Sequence, residues 1–142
     1  MRLEVPEWPY ASPTPEALLE SARKARVLAY APYSNFKVGA AVLTETGKVF
    51  CGCNIENSSF SLTLCAERVA LFSTVASGSG KPVAVAIAGE GGLPCVPCGA
   101  CLQVLAEFND DFLVVLEAER TARVYRLDDL LPLRFRLTGN NP

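Results

Sequence analysis

Residues 112–126 read FLVVLEAERTARVYR. Phe112 to Leu116 is a continuous apolar run suited to a strand covered on both faces, and Arg123 to Arg126 is a last short strand. Only about six residues, Glu117 to Ala122, separate them, whereas a parallel crossover takes about a dozen or more. The pair is therefore an antiparallel hairpin. Working outward, Val83 to Ala88 (VAVAIA) is a second buried run. Phe36 to Leu43 and Val49 to Glu56 read as two strands joined by a turn at Thr44, Glu45, Thr46 and Gly47. Helices fall between them. Thr14 as N-cap and Pro15 at the first helical position start one over 15–31, with Leu18, Ala22, Ala25 and Leu28/Ala29 at helical spacing. A second runs from Cys65 to Ala76 and stops at Ser77-Gly78, and a third covers 99–108 (GACLQVLAEF). Asp128 to Leu131 is a helical turn before Pro132. The expected fold is α/β, a three-layer α/β/α sandwich on a mixed five-stranded sheet with its last two strands antiparallel. Residues 1–13, with prolines at 6, 9 and 13, read as an irregular arm outside the fold, and 14–142 as one domain.

Composition narrows the function. The 142 residues are 50% hydrophobic and 20% charged, which excludes intrinsic disorder. Thirteen basic and fifteen acidic residues leave a net charge of −2, and the pI is about 5.2. That balance disfavours a polyanion-binding surface. No stretch approaches the roughly 18 uncharged apolar residues of a membrane span. The start, MRLEVPEWPY, carries acids and prolines where a signal peptide has an apolar segment, so the expected location is cytoplasmic. Neither nucleic acid nor membrane is an expected partner.

Six cysteines and no histidine matter more. Clustered cysteines in a reducing compartment read as metal ligands or catalytic groups. The missing histidine excludes Ser-His and Cys-His nucleophiles and HExxH zinc sites. Cys65-Ala66-Glu67 opens the second helix and Pro97-Cys98-Gly99-Ala100-Cys101 the third. Cys98 and Cys101 are three apart, so both thiols leave the same side of a first turn, where free N–H groups favour thiolate. Two adjacent helix starts thus offer three thiolates to one Zn²⁺ per chain. Three ligands and an open position is a catalytic pattern, whereas a structural site closes with a fourth. Glu67 suits a proton shuttle beside the metal. A lone CxxC is equally a redox pair or half of a zinc ribbon, but the only other closely spaced pair, Cys51 and Cys53, has the wrong spacing for a ribbon. A second register, Pro94-Cys95 to Cys98, also reads Pro-Cys-x-x-Cys, but only the Cys98/Cys101 register feeds directly into the following helix.

The pattern Cys-x-Glu … Pro-Cys-x-x-Cys is a signature of zinc deaminases. Over roughly residues 15–136 the chain resembles the small homotetrameric cytidine deaminases, through AYAPYSNFKVGAAVLT, CGCNIENSS, CAERVALF, PCGACLQVLAEF and LLPLRF. The resemblance implies hydrolytic deamination of cytidine and 2′-deoxycytidine to uridine and 2′-deoxyuridine in pyrimidine salvage. It implies Cys65, Cys98 and Cys101 as zinc ligands and Glu67 as the proton shuttle. Asn54 and Glu56 resemble ribose contacts, Phe36 a wall of the nucleoside pocket, Ala66 a further substrate contact, and Phe135 an aromatic reaching a neighbouring subunit's site. Arg68 resembles the arginine that hydrogen-bonds the ligand sulfurs, with Gln103 as another group around them.

The residues themselves agree on several counts. Asn54 and Glu56 are i and i+2 on an expected strand and so share a face. A carboxylate buried in a pocket is costly without hydrogen bonds, so Glu56 is expected to need the sugar's donors. Three thiolates on Zn²⁺ leave a net −1 centre, which a guanidinium at Arg68 and two helix dipoles would relieve. Without the resemblance, Phe36 and Phe135 read as core or interface residues and Arg68 as a surface charge. Arg23, Lys24 and Arg26 read as a solvated helix face, and Cys51, Cys53 and Cys95 as ordinary small cysteines. The chain departs from the family pattern at Leu102, where arginine is usual, at Phe60, where tyrosine is common, and in its longer arm. The rivals are a blasticidin-type nucleoside deaminase, a polynucleotide deaminase and a zinc-stabilised binding module without turnover. The acid in Asn-Ile-Glu-Asn disfavours the first. Polynucleotide deaminases usually take histidine as first ligand and place a helix before the last strand, and this chain offers neither. Glu67 disfavours the third.

Overall fold

The computed structural model describes residues 3–137. Five strands, β1 (Gly39–Thr44), β2 (Val49–Cys53), β3 (Pro82–Ala88), β4 (Leu113–Ala118) and β5 (Thr121–Arg126), form one sheet in the order β2-β1-β3-β4-β5. β3 and β4 are parallel; the other neighbours are antiparallel. Helix α1 (Pro15–Arg26) covers one face, and α2 (Ala66–Ser77), α3 (Gly99–Ala106) and the short α4 (Leu127–Leu130) lie on the other. The mixed three-layer arrangement is the one expected.

Alternation within the central strands builds two cores. Ala41, Leu43, Ala84, Ala86 and Val115 meet Leu18, Leu19 and Ala22 of α1. Ala40, Val42, Val85, Ile87, Val114 and Leu116 meet Ala66, Ala70 and Leu71 of α2 and Leu102 and Leu105 of α3. β3 is buried along its whole length because both faces are covered. Thr14 caps α1, its side chain accepting the Ala17 N–H at 3.1 Å.

Several element ends differ from expectation. α1 stops at Arg26 rather than residue 31. Leu28 and Ala29 donate three residues back, to Ala25 and Arg26, and Tyr30 leaves to bridge Ile55. β1 begins at Gly39 rather than Phe36: the Asn54 side chain takes the Val38 N–H and the Phe36 carbonyl, and one backbone bond, from the Asn54 N–H to the Val38 carbonyl, remains. β2 ends at Cys53, so Asn54 and Glu56 lie beyond it. The β4–β5 connection is tighter than six residues. Ladder pairing continues through Ala118 and Thr121, leaving Glu119 and Arg120 at φ 51° and 68° as a type I′ turn. The N-terminal arm is irregular but lies on the fold. Trp8 and Tyr10 pack against the α1-side core, and Trp8 Nε1 donates to the Pro13 carbonyl at 3.0 Å. Residues 1–2 of the arm and 138–142 of the expected domain lie outside the described residues. No helix among the described residues is long and apolar enough to cross a membrane.

Two glycines set the layer spacing. A Cβ on Gly39 would fall 1.9 Å from the Ala22 carbonyl oxygen and 2.4 Å from the Arg26 nitrogen. A Cβ on Gly52 would fall 2.4 Å from the Ala70 nitrogen. Each helix therefore rests directly on strand backbone. Gly52 does so under the first turns of α2, where Cys65 and Glu67 sit.

Candidate active site

The starts of α2 and α3 converge. Cys65 is the N-cap of α2 and Cys98 the N-cap of α3, both extended, at φ/ψ −70°/154° and −68°/164°. Neither thiol caps its own helix, so both are free to turn outward. Cys101 is the third residue of α3, one turn from Cys98. The ligand atoms of Cys65, Cys98 and Cys101 all lie within 4.8 Å of one another, and Cys65 Sγ stands 3.9 Å from Cys98 Sγ. Tetrahedral Zn–S bonds of about 2.3 Å put two sulfurs about 3.8 Å apart. The donor set fits zinc. Cys101 is buried, Cys65 half-buried and Cys98 exposed, so the cluster opens on one side, as a site with a free fourth position requires.

Charge is arranged to hold thiolate there. Arg68, the third residue of α2, donates from Nη2 to Cys65 Sγ at 3.4 Å. A hydrogen bond from Cys101 and the Arg68 guanidinium bring the Cys65 thiol down to about 5. Its hydrogen bond to Cys65, together with burial, holds the Cys101 thiol the other way. Leu102 is buried in the α2–α3 core. Among the described residues, Arg68 is thus the guanidinium hydrogen-bonded to the cluster.

Glu67 is 4% exposed. Burial, with the Cys65 charge beside it, raises its carboxyl to about 6. The three sulfurs form the cluster by themselves, and the Glu67 carboxyl stands beside it, in hydrogen-bond contact with Cys101. A carboxyl that titrates near neutrality can both take and return a proton.

The other expected residues separate. Asn54 is buried, its Oδ1 accepting the Val38 N–H at 2.8 Å and its Nδ2 donating to the Phe36 carbonyl at 2.9 Å. Glu56 is half-exposed rather than buried, and its Oε1 accepts the Tyr33 and Ser34 N–H groups at 2.9 and 3.0 Å. The Ser34 side chain, together with those backbone bonds, holds its carboxyl below the usual range. The expectation that Glu56 depends on a sugar for its hydrogen bonds therefore fails: backbone already serves one oxygen. Both side chains nevertheless project toward one segment, 33–38, and Glu56 lines a cleft of about 330 Å³ with Tyr33, Ser34, Phe60 and Thr63. Phe36 is 43% exposed. Its ring tip and Cys95 both stand about 3.0 Å from where a Gly89 Cβ would lie. Cys95, read from sequence as ordinary, has its thiol raised to about 11 by burial, with the nearby charges of Glu67 and Cys65 adding to it.

Ala66, between Cys65 and Glu67, is wholly buried in the core. The Gln103 amide bonds the backbone of Phe135, whose ring is exposed. Cys51 and Cys53 line a groove of about 490 Å³ between α1 and β2 that holds none of the three clustered cysteines.

The register is testable by substitution. Cys101→Ser is expected to lose zinc, whereas Cys95→Ser keeps about one zinc per chain by elemental analysis. The reverse result would assign the metal to the Cys95/Cys98 register.

Comparison with known proteins agrees with this geometry. Residues 12–117 match the family model described as the cytidine and deoxycytidylate deaminase zinc-binding region. A cytidine deaminase of Sporosarcina psychrophila is 52% identical over 93 residues, 66% of this chain and 68% of that one. One from Mycobacterium tuberculosis is 43% identical over 117 residues, 82% of this chain and 86% of its own. The crystal structure of cytidine deaminase from Burkholderia pseudomallei superposes with a TM-score of 0.78 at 52% identity, covering 84% of this chain and 97% of that one. With three thiols at two helix starts and a buried glutamate beside them, this chain belongs to the cytidine deaminase family.

Proposed function

We propose that the protein hydrolyses cytidine and 2′-deoxycytidine to uridine and 2′-deoxyuridine, releasing ammonia, in pyrimidine salvage. The observation that carries this reading is the buried Glu67 carboxyl, raised to about 6, beside three convergent thiols that do not include it. Zinc held by Cys65, Cys98 and Cys101 supplies a polarised water when bound. Glu67 moves the protons: hydrolysis forms a C4–O bond and breaks C4–N, and the water's protons pass through the carboxylate to the ring nitrogen and the departing amine. Arg68 offsets the charge of the thiolates through Cys65. Phe36, with Cys95 behind it, walls the base. Glu56 keeps Oε2 for a sugar hydroxyl, and Asn54 holds Phe36 in place through its backbone.

Substrate comparison tests the class. Cytidine and deoxycytidine are expected to turn over, with free cytosine and CMP poor. Sites built around a sugar hydroxyl reject analogues that lack it. Glu56→Gln keeps the acceptor for Tyr33 and Ser34 yet removes the carboxylate charge, and should lower kcat/KM for cytidine on the order of 100-fold with zinc unchanged. Equal turnover of cytosine or CMP would overturn the substrate class.

The same reading includes a homotetramer with sites completed by neighbours. Phe60, Leu62, Leu133 and Phe135 are 74, 66, 95 and 71% exposed, large apolar side chains that one chain leaves uncovered. Light scattering of the active protein should give four times the 15.2 kDa chain mass. An active monomer would refute it.

A further inference from the structure

Residues 133–137, LRFRL, follow α4 and carry their three large apolar side chains on the surface. Leu133, Phe135 and Leu137 are 95, 71 and 68% exposed. Of the arginines between them, Arg134 turns back onto the chain, while Arg136, with 48% of its side chain exposed, lies along the surface. Arg134, with only 12% of its side chain exposed, pairs with Asp128 and lies 3.8 Å from Asp110, and Arg136 pairs with Asp110. The backbone between them is gripped as well. Gln103 Nε2 donates to the Phe135 carbonyl at 2.9 Å, and Gln103 Oε1 accepts the Phe135 N–H at 3.3 Å. One side-chain amide thus meets both polar groups of a single residue, as a neighbouring strand would.

Three separate elements converge on these five residues: α3 through Gln103, the loop before β4 through Asp110, and α4 through Asp128. A segment past the last helix ordinarily frays unless it is tied down. Ion pairs to exposed aspartates contribute little energy each, but with the amide grip they leave the backbone one position and one facing. With the Arg134 side chain held against the chain and the Phe135 backbone held by Gln103, the Phe135 ring stands exposed.

We infer that Gln103, Arg134 and Arg136 are positioning residues that fix the backbone of 133–137 and present the Phe135 ring to a second copy of this chain. The kinetic consequence rests on the reading of Phe135 as a contributor to a neighbour's nucleoside site; the anchor itself does not.

Gln103→Met keeps the side chain's length and removes both hydrogen bonds. Three quantities are read on the full-length zinc-loaded protein: hydrogen exchange of the 133–137 peptide, KM and kcat for cytidine, and zinc content. Exchange at Phe135 should quicken by about 3- to 10-fold, the range for losing one such hydrogen bond. KM should rise severalfold with kcat and zinc retained. The double variant with Phe135→Ala should be no worse than Phe135→Ala alone, because Gln103 acts through that residue. Unchanged exchange, additive effects on KM, or loss of zinc from Gln103→Met would overturn the inference. If Phe135→Ala leaves KM unchanged while Gln103→Met still quickens exchange, the anchor stands and the reading of Phe135 has failed.

Discussion

Glu67→Gln retains zinc at the wild-type level and loses nearly all cytidine turnover. Glutamine matches glutamate in size, and residue 67 lies outside the three-thiol group, so the metal site keeps its donors. Glutamine cannot carry a proton. A general acid–base group contributes on the order of 10²–10⁴ in rate, and one that serves several transfers contributes more. The burial that raises Glu67 to about 6 also means that nearby water is poorly placed to substitute for it. Paired zinc and kinetic measurements on the variant decide the matter. Near-native turnover with full zinc would make Glu67 a structural carboxyl and leave the chemistry without its proton carrier.

Gly39→Ala should destabilise the protein by at least about 3 kcal/mol, the upper end for overpacking, because the clash is with helix backbone that no rotamer change can relieve. The added methyl would stand 1.9 Å from the Ala22 carbonyl oxygen. For a chain of this length that is a fall of roughly 6–12 °C in Tm. Gly99→Ala is the control. Nothing lies within 4 Å of a Cβ there, and the residue is the first of α3. Its Tm should stay within a degree or two of wild type. Equal melting of the two variants would show that α1 does not rest on β1 as closely as described.

Sequence carried the parts of the fold that depend on local pattern. The run at Val83–Ala88 reads as a doubly covered strand because no polar residue interrupts it, and the short connection after Leu116 forces an antiparallel pair whatever its detailed length. The end of α1 was less legible. Helical spacing continues through Leu28, yet Leu28 is 79% exposed, and the chain is drawn away by Tyr30 bridging Ile55, a contact between segments distant in sequence. Strand limits near Phe36 and Asn54 were hidden likewise, because a side-chain amide takes ladder bonds there.

The metal cluster was legible because helix starts bring i and i+3 together and need no tertiary information beyond the meeting of two helices. Arg68 by itself reads as a surface charge, and only the family resemblance pointed it at the sulfurs. The contact that Gln103 makes was not legible at all. Its partner, Phe135, is 32 residues away and approaches through its backbone, which no side-chain pattern announces. Gly39 and Gly52 carry no turn signal, and only the closeness of the helix above each explains the missing side chain.

Zinc content and uridine formation measured on one purified sample, before chelation, after it, and after zinc is restored, test the central claim. The account predicts about one zinc per chain, cytidine converted to uridine with one ammonia released for each, activity lost as zinc is withdrawn, and activity regained on its return. A chain that holds its full zinc and forms no uridine, or one that forms uridine as fast without the metal, would contradict it.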